Sequence, residues 1–151
     1  MFGRPPRASR GGWAVAVVVV LSVAGTAVAG AAGRVSDRDG TPPRFQGLRS
    51  ATTCVPGPIG GGGTTRYRLS WDAATDDRTP STQIVYDVYQ ATTAGGENFA
   101  SPTYTTPRGA TGFDTPLLPT GEQFYFVVRA RDRSGNSDAN KVEREGVNLC
   151  V

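Results

Sequence analysis

Phe124-Tyr125-Phe126-Val127-Val128-Arg129-Ala130-Arg131 is the stretch on which the fold turns. Successive side chains of a strand point to opposite faces, so Phe124, Phe126, Val128 and Ala130 share one face and Tyr125, Val127, Arg129 and Arg131 the other. The first set is wholly apolar and the second mixed. That pattern predicts a strand with one face in a core. The run Asp132-Arg133-Ser134-Gly135-Asn136 follows it, rich in residues that close turns through their own side chains.

Working outward, the same grammar repeats. Tyr67-Arg68-Leu69-Ser70-Trp71 alternates, and Ile84 to Ala91 is β-branched and aromatic. Phe99 to Thr105 is a weaker strand, interrupted by Pro102. A short strand is expected over Thr111 to Thr115, and a last one from about Lys141 to Leu149. Pro42-Pro43 leads into a short first strand carrying Phe45 and Leu48, since prolines are tolerated at a strand start. Val55 to Thr65 and Asp72 to Ser81 read as loops. About seven short strands without helical periodicity predict an all-β, two-sheet, immunoglobulin-like sandwich over 42–151.

The chain begins differently. Met1 to Gly12 holds Arg4, Arg7 and Arg10, and an apolar run from Trp13 to Ala24 follows. Ala27-Val28-Ala29 then offers a small-residue cleavage pattern, so 1–29 reads as a secretory signal peptide. The rival is an uncleaved membrane anchor, because Trp13 to Ala32 gives 20 uncharged residues. Residues 30–41 read as a polar, mobile linker. Either way the domain is expected outside the cytoplasm, secreted or held by a single-pass tether.

Composition narrows the chemistry. The chain contains no histidine, which removes Ser-His-Asp and Cys-His catalysis and any histidine-containing zinc site. Setting the three N-terminal arginines aside leaves 13 basic residues against 13 acidic, so no broad footprint for nucleic acid remains. No G-x-S-x-G elbow is present, and the run Gly60 to Gly63 lacks the G-K-[ST] of a phosphate loop.

The sequence resembles the fibronectin type III family over roughly Pro42 to Leu149. The likeness rests on the proline-led start, Trp71 at the end of the second strand, and Tyr86-x-Val88 in the third. It rests most on Leu118-Pro119-Thr120-Gly121-x-x-Phe124-x-Phe126-x-Val128-x-Ala130, followed by Asp132 and Gly135-Asn136. Phe124 stands where the family has the tyrosine of its tyrosine corner, so that hydroxyl-to-backbone bond is absent or replaced. The resemblance implies fibronectin type III topology and a module rather than a reaction.

Three groups of residues become candidates on that basis. An even cysteine count in an exported domain suggests a disulfide, with free thiols or pairing between chains as alternatives. The family's parallel first and last strands would bring Cys54 and Cys150 to one end. The resemblance also gathers two acidic loops at one end, Asp72, Asp76 and Asp77 in one, Asp132, Asn136 and Asp138 in the other. Ordinary turn chemistry accounts for them; a calcium site drawing on Asp76, Asp77 and Asp132 is the rival reading. Finally, Tyr89 and Tyr125 should be solvent-facing neighbours on paired strands. With Tyr104 they would form an aromatic surface for sugars or proteins, or merely stabilise the sheet.

The expectation is therefore a monomeric, non-catalytic binding or adhesion module that meets an extracellular protein or glycan, without cofactor, resident metal or nucleic acid. The alternative is a structural spacer without a ligand of its own, tethered through residues 13–32.

Overall fold

The computed structural model describes residues 39–54 and 63–149. Ten short strands follow in chain order: β1 Ser50–Thr53, β2 Thr64–Thr65, β3 Arg68–Ser70, β4 Val85–Ala91, β5 Tyr104–Thr105, β6 Gly112–Asp114, β7 Leu118–Pro119, β8 Tyr125–Arg131, β9 Glu143–Glu145 and β10 Val147–Asn148. They form one four-stranded sheet in the order β10-β1-β3-β6, a second in the order β5-β4-β8-β9, and a small β2-β7 pair. Among the described residues no helix is long and apolar enough to cross a membrane.

The parity read from the sequence places the core. Tyr86, Val88, Phe126, Val128 and Ala130 are fully buried and Phe124 nearly so, packed with Leu48, Leu69 and Trp71. Tyr67 lies edge-on to Phe124 with ring centroids 6.0 Å apart, and 5.6 Å from Phe126. Trp71 packs on Tyr86 at 5.2 Å, and its indole N–H donates to the Ala110 carbonyl at 3.0 Å. Tyr86 is likewise bonded at its polar end: Ala74 N–H donates to its hydroxyl at 2.8 Å.

Three expectations about strands need correction. Phe45 and Leu48 do pack on the core, but the first strand begins at Ser50. Gly47, with φ +88°, turns the chain between them, and a Cβ there would sit 2.6 Å from the Val142 Cβ. Phe99 lies outside any strand; only Tyr104–Thr105 pairs with β4, because Pro102 has no N–H for the ladder.

The expected last strand is two strands in two sheets. β9 runs antiparallel to β8, whereas β10 runs parallel to β1. Gly146 stands at the changeover: its N–H still donates to the Phe124 carbonyl at 2.8 Å, while Leu149 N–H reaches the Thr53 carbonyl at 3.0 Å. A Cβ on Gly146 would lie 2.5 Å from the Tyr67 ring, so only glycine lets the chain cross there.

Candidate functional site

The site is assembled at one end of the sandwich from segments far apart in sequence. Tyr86 anchors the loop after β3 through Ala74, and Arg44 and Thr75 exchange backbone hydrogen bonds at 2.8 and 3.0 Å. These contacts set Asp76 beside the segment that enters the domain. Asp76 Oδ1 accepts from Arg78 N–H at 3.1 Å and from Thr79 N–H at 2.7 Å, so it caps its own loop.

The turn after β8 supplies the second wall. Asp132 Oδ1 accepts Asn136 N–H at 2.8 Å, and Asp132 Oδ2 accepts the Asn136 side-chain N–H at 2.7 Å. The same Asn136 amide donates to the Asp39 carbonyl at 3.0 Å, which ties the entering segment to this turn. Asp39 Oδ1 in turn accepts Thr41 N–H at 3.0 Å.

One carboxylate oxygen from each of Asp39, Asp76 and Asp132 lies within 4.8 Å of the other two. Asp39 is only 8% exposed and Asp132 3%. Asp39 Oδ2 and Asp76 Oδ2 are both buried and have no hydrogen-bond partner. Like charges brought this close repel one another. A groove of about 400 Å³ lined by Thr41, Pro42, Arg44, Thr75, Asp76 and Asp77 adjoins the cluster on one side. A depression of about 340 Å³ lined by Asp39, Arg78, Thr79, Arg133 and Ser134 also adjoins it.

Of the acids singled out from the sequence, the structure brings Asp76 and Asp132 together and leaves Asp77 exposed at the groove, outside the cluster. Asp72 is exposed and pairs with Arg49 at 3.2 Å. Asp138 is buried and accepts from Ala130 N–H and from Asn140, holding the turn before β9. Asp39 takes the third place although it reads as part of a mobile linker; it is ordered and buried. The Asp39-Gly40-Thr41 sequence, an Asx-turn pattern, was the available signal.

The aromatic surface does not form as expected. The register pairs Tyr89 with Val127 and Ala91 with Tyr125, so Tyr89 and Tyr125 do share the outer face of their sheet. Tyr89, however, is 5% exposed, and Tyr125 is half-buried. Phe99, from the connection after β4, lies on Tyr89 with centroids 5.2 Å apart, and the Arg129 guanidinium sits 3.8 Å above Phe99. Tyr104 faces the core instead, opposite Val88 and 5.2 Å from Phe113. The three tyrosines are thus not one platform.

Two charged groups on that outer face belong to the sheet. Arg131 holds Asp87 with two hydrogen bonds, at 2.7 and 3.0 Å, and Thr105 adds a third at 2.7 Å. Burial alone would raise the Asp87 carboxyl, but these bonds and the Arg131 charge outweigh it and hold it below its ordinary value. Glu97, buried at the edge of the same face, is pushed the other way by desolvation and by the neighbouring Glu143.

Cys54 follows β1 directly and is not a free thiol. Cys150 lies outside the described residues, as do the segment 1–38 and the run 55–62. No protein-family model matches the chain, and neither a curated protein nor a solved structure matches it.

Proposed function

We propose that the chain is an exported, non-catalytic sandwich module of the fibronectin type III kind, closed by a Cys54–Cys150 disulfide, that binds an extracellular protein or glycan. The observation that carries this reading is the parallel pairing of β10 with β1, in which Thr53 pairs with Asn148 and Leu149 bonds back to Thr53. Cys54 and residue 150 each follow that pairing directly, and a bridge there belongs to an oxidising compartment. The sheet orders support the topology, since β1, β3 and β6 share one sheet, with β10 at its edge, and β5, β4, β8 and β9 form the other. The half-buried outer face, covered by Phe99, offers little to a partner. The grooved loop end beside Asp76 and Asp77 is the better contact surface.

Expression of the full chain with its N-terminal segment tests this. Export should yield a mature N-terminus near Gly30 and a non-reducing peptide map that links Cys54 to Cys150. Retention inside the cell with Met1 attached and both cysteines open to alkylation contradicts it. On the exported protein, Arg44→Glu with Asp77→Lys should lower binding to a glycan or surface protein at least about tenfold. Protein that retains no surface glycan or protein at all is a spacer, the reading the module would then take.

A further inference from the structure

We propose that Asp39, Asp76 and Asp132 form a calcium site that fastens the segment entering the domain to the two loops at that end of the sandwich. Three observations carry it. First, three carboxylate oxygens converge within 4.8 Å, and ligands of one calcium ion, each at about 2.3–2.6 Å, can stand no farther apart than about 5 Å. Second, Asp39 is more than nine-tenths buried, yet its Oδ2 has no hydrogen-bond partner, and the buried Oδ2 of Asp76 has none either. Buried polar atoms are otherwise satisfied in folded proteins, so two bare oxygens in one cluster mark a missing ligand. Third, two arginines that line the neighbouring hollows, Arg44 and Arg133, leave both oxygens unbonded. A cation that approaches as a point charge fits where a planar guanidinium has not closed the contact.

The donor set selects the ion. All three groups are hard carboxylate oxygens, with neither sulfur nor imidazole, which disfavours zinc and copper. The oxygens come from three separate segments. Such a set suits the flexible coordination of calcium better than the strict octahedron of magnesium, and water completes the 6–8 ligands. Asn136 already joins Asp132 to the Asp39 carbonyl, so the cluster is held in shape before the ion arrives. Binding would make the attachment of residues 39–41 dependent on calcium.

Isothermal titration of the full chain, stripped with EDTA and then dialysed free of it, decides the matter. Calcium chloride should bind with one-to-one stoichiometry and at least about tenfold more tightly than magnesium chloride. Asp39→Asn and Asp76→Asn should each weaken calcium at least about tenfold, whereas Asp72→Asn, in an exposed surface pair, should leave it unchanged. Absence of saturable calcium binding by the wild-type chain overturns the proposal whatever the variants do. Magnesium binding as tight as calcium overturns the choice of ion, and an undiminished affinity in Asp39→Asn overturns the placement.

Discussion

The layer between the two sheets and the acidic end of the sandwich are built on opposite principles. Between the sheets, rings and aliphatic side chains fill the space, and each buried polar atom of Trp71 and Tyr86 has its partner. At the acidic end, three carboxylates crowd together and two of their oxygens are left bare. The first region is complete as folded. The second is complete only with something added. The contrast separates what holds the domain together from what it can respond to.

Breaking the complete region should have the largest effect. Phe126 is fully buried and touches Tyr67 and Phe124. Phe126→Ala should cost about 3–5 kcal/mol in chemical denaturation, with loss of calcium binding only through unfolding. A loss below about 1 kcal/mol would mean that the layer is loosely packed.

The Asp87–Arg131 pair on the outer face comes next. Arg131→Met should cost about 2–3 kcal/mol at neutral pH, discounted because the Arg131 side chain is 36% exposed. Asp87 is held below its ordinary value, so its contribution is present above the unfolded carboxylate range and is lost as pH falls through the lowered native value. The difference between wild type and variant should therefore shrink in acid. A gap that stays constant down to the lowest pH would remove the ion pair from the account.

Gly146→Ala drives a methyl into the Tyr67 ring and should cost about 1–3 kcal/mol. A neutral result would show that the last segment need not cross between sheets there.

The smallest effect is a slope. Glu97 has its native value raised, so its share of stability is full at low pH and is lost as pH rises through that value. Glu97→Gln, which cannot ionise, should flatten this fall in a pH series of melting temperatures. An unchanged slope assigns it to other groups.

The sequence carried the complete region well. Alternation along Phe124 to Arg131 names the inward residues directly, because strand parity is a local property. It also names the face on which Tyr89 lies, but parity is silent on what covers a face. Phe99 comes from a connection without periodicity, and its landing beside Arg129 follows only from the tertiary path. Lys141 to Leu149 likewise reads as one run, and the change of sheet at Gly146 depends on a ring almost 80 residues earlier. Asp76 and Asp132 were visible as acids in loops. Their union with Asp39 needed the bond from Asn136 to a residue 97 positions away. A resemblance that begins at Pro42 leaves that residue outside its reach.

The contrast is tested most directly by melting the full chain in EDTA and again in calcium at about a hundred times its dissociation constant. The complete region should give one cooperative transition in EDTA, and calcium should raise stability by about 2.7 kcal/mol and move the same transition several degrees higher. A transition that calcium leaves where it was, with the fold intact, would contradict the claim that the acidic end awaits an ion.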